Sequence, residues 1–169
     1  MPSTSVRYRT LFLCTHNSAR SIIAEAVLRH MGGGTFEAYS AGSEPAAAPM
    51  SDVLARLRAL GYDTSGLASK SWSAFLGPEA PRMHFVIALC DTLEGQSCPD
   101  FSDQAVTASW PFPDPAKFGG GETERVAMIN ELVGMIRRRL EIFINLPFET
   151  LDRLALEAQL NELGKRIDT

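Results

Sequence analysis

The feature that most constrains the fold is a repeated change between short apolar strand patterns and amphipathic helix patterns. The predicted strands are Tyr8 to Leu13, Thr35 to Ser40, His84 to Leu89 and Thr107 to Trp110. Apolar residues at helical spacing occupy 22–31, 53–60 and 126–140, and glycines follow the first two of these segments. Strands separated by helices favour a parallel sheet covered on both faces. We therefore predict an α/β fold, a single doubly wound domain with a four-stranded parallel sheet.

A last helical pattern, with leucines from Leu151 to Leu163, follows the long third helix. The chain has 169 residues, which suits one domain with a proper core and is too few for two ordinary domains. We assign residues 1–145 to this domain and residues 146–169 to a C-terminal helical extension packed on it. The extension is expected to cover an edge of the domain. The alternative is a contact with a second copy, so we expect a monomer or a weak homodimer.

Charge and cysteine content limit the classes of function. The net charge is -4 and the run from Arg137 to Arg139 stands alone, which argues against a nucleic-acid binder. We expect that run to be solvated near the end of a helix. No apolar stretch approaches the length of a membrane span, and the first ten residues do not resemble a signal peptide. A cytoplasmic protein is therefore predicted. Its three cysteines indicate reactive residues or small buried filler residues in preference to a structural disulfide.

Residues that could take part in catalysis or binding lie at the ends of the four predicted strands. Cys14, the turn Ser40-Ala41-Gly42, Cys90 and Asp114 each come at or directly after one strand end. The carboxyl ends of parallel strands meet at one edge of the sheet, where function gathers in such folds. The sequence therefore predicts that these residues converge on one rim.

The segment that begins at Cys14 has the composition of an oxyanion-binding loop. Arg20 follows Cys14 by six positions, a spacing that is weak evidence by itself. The loop leaves a predicted strand and enters a helix near Arg20, so successive N–H groups and the helix N-terminus can surround a tetrahedral anion. The predicted oxyanion-binding residues are Thr15, His16, Asn17, Ser18, Ala19, Arg20 and Ser21.

Each role in this loop follows from the chemistry of one side chain. A field that holds an anion also favours thiolate over thiol, so Cys14 is the predicted nucleophile. The planar fork of Arg20 can bind two oxygens of the anion. Ser21 could donate to the thiolate, Asn17 could tie the loop to its surroundings, and His16 is expected to shape the loop and not to act as a base. The alternative is a buried Cys beside an ordinary helical Arg.

Several segments together share the pattern of a known family. They are Cys14 to Ser21, Ala24-Glu25, Ser40-Ala41-Gly42, the strand His84 to Leu89 and the pair Asp114-Pro115. These segments resemble the low-molecular-weight protein tyrosine phosphatase family over residues 8–143, and they are similar to its arsenate reductase branch. The resemblance implies the family's α/β fold, with Cys14 as nucleophile, Arg20 as anion ligand and Asp114 as general acid.

Two departures and two cysteines point to the reductase branch. His16 stands where phosphatases of the family usually have Gly, and Ala116 stands where they have an aromatic residue. A phenol ring would thus lose a stacking partner. Cys90 and Cys98 stand where reductases of this type need thiols. The resemblance therefore implies thiol-dependent reduction of arsenate to arsenite through a covalent Cys14-arsenate adduct.

The implied electron path is a relay of three cysteines. Cys90 would attack the sulfur of Cys14, and Cys98 would then resolve that disulfide. An external thiol system, thioredoxin or glutathione with glutaredoxin, or mycothiol, would restore the thiols, and no bound cofactor is implied. The spacing from Cys90 to Cys98 is also unlike that of zinc ligands, so no metal is expected.

Several alternatives stay open at this point. Cys90 could be a buried filler residue and Cys98 an idle loop thiol. The chain could be an authentic tyrosine phosphatase that hydrolyses phosphomonoesters through a phosphocysteine at Cys14 and ignores both thiols. It could also be a non-catalytic oxyanion-binding module. Asp114-Pro115 alone is a common turn, so the acid role of Asp114 is a separate prediction.

Overall fold

A computed structural model of the chain describes residues 7–89, 105–113, 115 and 120–165. Cys90, Cys98 and Asp114, three of the predicted site residues, lie outside the described residues. The strands are β1 (Tyr8–Cys14), β2 (Phe36–Gly42), β3 (Phe85–Ala88) and β4 (Val106–Ser109). The helices are α1 (Arg20–Gly32), α2 (Ser51–Ala59), α3 (Glu122–Phe143) and α4 (Arg153–Lys165), with a short 3₁₀ helix at Trp72–Phe75.

The four strands form one sheet in the order β2-β1-β3-β4, and every neighbouring pair is parallel. The predicted α/β fold is therefore confirmed, with strand ends within two residues of the predicted ones. One boundary was wrong, because Ser40 to Gly42 form the last residues of β2 and not a turn after it. Pairing with β1 extends β2 this far, and Cys14 lies opposite Gly42.

The central strand β1 separates two apolar layers. Phe12 faces a large cluster that includes residues of α1, α3 and α4, whereas Leu11 and Leu13 face a smaller one with Phe75 and Met83. All three β1 residues are at most 1% exposed. Alternation of side chains across a strand therefore buries β1 on both faces, which is typical of a parallel sheet that is covered on both sides.

The long helix α3 corrects one prediction about charge. Arg137 and Arg138 are exposed as expected, but Arg139 is only 5% exposed. Arg139 lies one turn from Ile136 and from Phe143 on the buried stripe of the helix, because α3 continues beyond the basic run. Within the ranges given above, no helix is long and apolar enough to cross a bilayer.

The last helix, α4, lies against the edge strand β4. Leu156, Leu160 and Leu163 are buried and belong to the same cluster as Phe12. The Trp110 indole N–H donates to the Leu160 carbonyl at 2.8 Å. The division of the chain at residue 145 stays a prediction, since nothing in these contacts marks a boundary there.

His84, just before β3, supplies a test of how the sheet responds to pH. Its Nδ1 accepts a hydrogen bond of 2.9 Å from the Arg9 backbone N–H, which requires a neutral ring at that nitrogen. Burial first, and then the charges of Arg9 and Arg82, lower the pKa of His84 from its usual 6.5. As the pH falls, the unfolded chain thus takes up this proton before the folded one.

We expect the free energy of unfolding to decrease as the pH falls from 6.5 towards the lowered pKa of His84, because only the unfolded state gains the proton in this window. Urea unfolding of the wild type and of His84→Asn, whose amide oxygen can still accept from Arg9, measures the effect. As the pH is lowered, the free energy of unfolding should decrease more for the wild type than for His84→Asn. Parallel pH profiles would contradict the prediction.

Candidate oxyanion-binding site

Cys14 is the last residue of β1 and lies at the middle of the sheet's carboxyl edge. It is 2% exposed, and its backbone pairs with Gly42 of β2. On the other side of β1, the Leu89 N–H donates to the Leu13 carbonyl at 2.8 Å. The residue before Cys14 is therefore in direct contact with the residue before Cys90, although Cys90 itself is not described.

The loop after Cys14 holds its carbonyl groups outward through bonds to two neighbouring segments. The carbonyls of residues 14, 15, 16 and 18 accept from the N–H groups of Ser43, Glu44, Ala46 and Met50, over 2.8 to 3.3 Å. The fifth, that of Asn17, accepts from the Ser69 hydroxyl at 2.7 Å. Five consecutive carbonyls of the loop thus have partners outside it.

This outward bonding fixes the direction of the N–H groups as well. In a planar trans peptide, the carbonyl and the following N–H point in opposite directions. The N–H groups of residues 15–19 therefore turn away from the 43–50 and Ser69 side, towards the concave side of the loop. Helix α1, of 13 residues, begins at Arg20 and adds the positive end of its dipole there. Such a cradle is suited to a tetrahedral anion.

Asn17 sustains the sharp bend of this loop. Its φ is 48°, in the left-handed region that Asn tolerates better than most residues. Its side-chain oxygen accepts from the Lys70 backbone N–H at 2.8 Å, and its amide N–H donates to the Ser21 hydroxyl at 2.7 Å. The Ser21 oxygen lies 2.9 Å from the sulfur of Cys14. Ser21 accepts from Asn17, and its own proton is available to donate to a thiolate at Cys14.

Arg20 connects the site to the segment that follows β4. Its side chain is 3% exposed, and Nη1 donates to the Phe112 carbonyl at 3.3 Å. The Phe112 N–H in turn donates to Leu89 at 3.0 Å. Phe112 thus connects the guanidinium to the segments that follow β3 and β4. Asp114, two residues beyond Phe112, is among the residues that are not described.

A charged cluster beneath the loop was not predicted from the sequence. Glu25 of α1 is 4% exposed, accepts from the Ser40 hydroxyl at 2.5 Å and pairs with Arg29. Lys70 Nζ donates to the carbonyls of Ser40 and Ala68 at 3.1 and 2.7 Å and lies 4.0 Å from Glu25. The sequence feature that could have indicated this cluster is Glu25, a carboxylate between two alanines in an otherwise apolar helical pattern.

Burial is the main cause of the altered titration in this cluster. It raises the pKa of Glu25, against the opposing effects of Ser40, Lys70 and Arg29. Burial also lowers the pKa of Lys70, and the carboxylate of Glu25 opposes that shift. The contacts of Glu25 and Lys70 link α1 and β2 to the segment that holds Asn17.

The structure brings Cys14 to Ser21 together with the end of β2, and it leaves the remaining site predictions open. His16 is partly exposed, with Nδ1 3.1 Å from the Glu44 carbonyl. Phe75 is buried in the smaller apolar cluster, and the partly buried Trp72 packs against it. The roles of Cys90, Cys98 and Asp114 stay predictions.

Gly42 allows β2 to approach the loop closely, and an added methyl group tests this. A Cβ at Gly42 would lie 2.6 Å from the Thr15 carbonyl oxygen and 2.9 Å from the Asn17 nitrogen, both backbone atoms. We expect Gly42→Ala to displace the cradle and to weaken phosphate binding about tenfold or more, since a lost hydrogen bond to a charged group costs about 1.5–3 kcal/mol. The measurement is phosphate protection of Cys14 from iodoacetamide, with the peptide quantified by mass spectrometry.

Gly34→Ala is the matched control, because nothing lies within 4 Å of a Cβ added there. It should bind phosphate as the wild type does. Equal phosphate affinity in Gly42→Ala and Gly34→Ala would show that the close approach of β2 does not shape the cradle.

Comparison with known proteins connects this geometry to a family. Residues 9–153 match the family described as low molecular weight phosphotyrosine protein phosphatase. The arsenate reductase of Shouchella clausii (strain KSM-K16) is 33% identical over 132 residues, which is 78% of this chain and 91% of that protein. The arsenate reductase of Bacillus subtilis (strain 168) is 31% identical over the same length and shares.

Solved structures agree with the sequence matches. An arsenate reductase in a phosphate-binding state superimposes with a TM-score of 0.65 at 26% identity, covering 81% of this chain and 96% of that one. A thioredoxin-dependent arsenate reductase of Corynebacterium glutamicum gives 0.58 at 28% identity, covering 84% of this chain and 64% of that one. The strand order, the loop between β1 and α1 and these matches lead to one conclusion: the chain belongs to the low molecular weight phosphotyrosine protein phosphatase family.

Proposed function

We propose that this protein is an arsenate reductase that uses Cys14 as its nucleophile and an external thiol system as its electron source. The observation that carries the proposal is the outward bonding of the five loop carbonyls, which turns the N–H groups of residues 15–19 towards one concave side. Arsenate is a tetrahedral oxyanion of the kind that such a cradle binds. The relatives named as arsenate reductases cover most of this chain and support the choice of substrate.

The first step is attack of the Cys14 thiolate on arsenic. A sulfur–arsenic bond forms, and one arsenate oxygen leaves as water after it is protonated. The loop amides and Arg20 stabilise the charge on the remaining oxygens. The Ser21 hydroxyl, 2.9 Å from the Cys14 sulfur, stabilises the thiolate before the attack. Asp114 is the proposed acid that protonates the leaving oxygen.

The second step moves two electrons to arsenic. A second thiolate attacks the sulfur of Cys14 and forms a disulfide, while the sulfur–arsenic electron pair stays on arsenic and releases arsenite. Cys90 is the proposed attacking thiol, because its neighbour Leu89 is hydrogen-bonded to Leu13, next to Cys14. Cys98 is then proposed to attack Cys90 and to free Cys14 by thiol exchange.

The disulfide that remains must be reduced by an external donor. Thioredoxin is the first donor to test, because the Corynebacterium glutamicum neighbour is described as thioredoxin-dependent. Glutathione with glutaredoxin is the second. Phosphomonoester hydrolysis through the same cysteine is the competing function, and the family description supports it. Water, and not a thiol, would then end the reaction.

Cysteine substitutions separate the reductase from the phosphatase. We expect Cys14→Ser to lower the rate of arsenite production by at least about 1,000-fold. Cys90→Ser should block turnover with thioredoxin and still allow the first covalent step. Arsenite release from arsenate is measured with thioredoxin plus its reductase, and in parallel with glutathione plus glutaredoxin. Hydrolysis of p-nitrophenyl phosphate without any arsenite would identify a phosphatase, and continued turnover by Cys90→Ser would exclude Cys90 from the relay.

The acid role of Asp114 gives a separate prediction. Asp114→Asn should lower kcat for arsenate by about 100-fold or more, because general acids contribute roughly 100- to 10,000-fold. The affinity for phosphate, measured by protection of Cys14, should change little, since the cradle keeps its amides and Arg20. An unaltered kcat would remove Asp114 from the mechanism.

A further inference from the structure

The helix α4 begins at Arg153, the last residue that matches the family, and it binds both ends of β4. At the beginning of β4, Arg153 Nη2 donates to the Ala105 carbonyl at 2.8 Å. At its end, the Ser109 N–H donates to the Asn161 side-chain oxygen at 3.2 Å. These bonds come from a helix next to an edge strand, so α4 occupies the place where a further strand would otherwise pair.

The contact is closest at the carboxyl end of β4. The buried Trp110 indole donates to Leu160, and the three buried leucines of α4 pack in the core beside it. A Cβ added to Gly164 would overlap the carbonyl oxygen of Ser109 and would lie 3.1 Å from the Trp110 ring. Gly164 therefore lets the backbone of α4 touch the backbone of β4 at this point.

The segment after Trp110 connects this contact to the anion site. Pro111 and Pro113 restrict the backbone on both sides of Phe112, and the Trp110 and Phe112 N–H groups bond to Ala88 and Leu89 at 2.7 and 3.0 Å. The Phe112 carbonyl accepts from Arg20 at 3.3 Å. Only two residues, Pro111 and Phe112, thus separate Trp110 from the carbonyl-bearing end of the contact with Arg20.

We propose that α4 is a positioning element for the oxyanion site: through Ser109 and Trp110 it sets the Phe112 carbonyl, which holds Arg20 in the orientation that binds the anion. The inference rests on the proposed function only in taking the Cys14 loop as an anion site. The positioning residues are Gly164, Asn161 and Leu160 of α4, and they act through Trp110 without touching the anion.

The test compares Gly164→Ala with Gly134→Ala in α3. Both changes add one methyl group inside a helix, where alanine is the better helix former by about 1 kcal/mol. The Cβ at position 134 meets only the flexible end of Arg138, at 3.4 Å, whereas the one at 164 meets backbone. The dissociation constant of phosphate is measured by protection of Cys14 from iodoacetamide. We expect the dissociation constant to be about tenfold higher in Gly164→Ala and unchanged in Gly134→Ala.

A double-mutant cycle distinguishes positioning from a general loss of stability. Combined with Arg20→Lys, Gly164→Ala should weaken phosphate binding less than it does alone, because the guanidinium that it displaces is already absent. Thermal unfolding confirms that each variant is folded at the assay temperature. Should Gly164→Ala not fold, Trp110→Phe, which removes the indole donor and keeps an aromatic ring, replaces it in the same cycle.

The outcomes separate this inference from the proposed function. Unchanged phosphate affinity in the folded variant, or fully additive effects with Arg20→Lys, would overturn the role of α4. Absence of phosphate protection in the wild type itself would overturn the anion site and with it the proposed reductase.

Discussion

The bonding of five loop carbonyls to groups outside the loop is the interaction on which the candidate site depends. The five residues between β1 and α1 have no regular hydrogen-bond pattern of their own. Here the segment after β2 and the Ser69 hydroxyl supply the missing partners. Because each peptide is rigid, an anchored carbonyl also aims the N–H on its opposite side. The anion cradle is therefore a by-product of satisfying the carbonyl groups of the loop.

A second layer of contacts makes this arrangement rigid. Asn17 is bonded through both ends of its amide, and Lys70, whose backbone holds Asn17, also places its ammonium on β2 and near Glu25. Glu25 and Lys70 titrate abnormally because both are withdrawn from water. A charged pair under the loop costs desolvation, and its contacts fix one geometry among α1, β2 and the 68–70 segment. Cys14, the proposed nucleophile, thus lies beside a preorganised support.

The fold and the position of the Cys14 loop between a strand and a helix could be predicted from the sequence for a clear physical reason. The strands are short apolar runs, the helices are periodic, and Cys14 stands where one gives way to the other, so local pattern is sufficient. It failed where the decisive contact is distant in sequence. Ser40 to Gly42 continue as strand because β1 pairs with them, Arg139 is buried because α3 is longer than its basic run, and Lys70 is brought to Glu25 only by the tertiary fold.

The segment that anchors the loop contributes its backbone, and this has a consequence for how the chain can diverge. Ser43, Glu44, Ala46 and Met50 bind through main-chain N–H groups, so these four bonds do not depend on which side chains the residues carry. Proline alone is forbidden at these four positions, since it has no N–H. The two prolines of the segment, Pro45 and Pro49, stand at positions that donate no bond to the loop. They restrict the backbone there. An insertion or deletion in this stretch would therefore move its N–H groups away from the loop carbonyls, even though the bonds themselves do not depend on side-chain type.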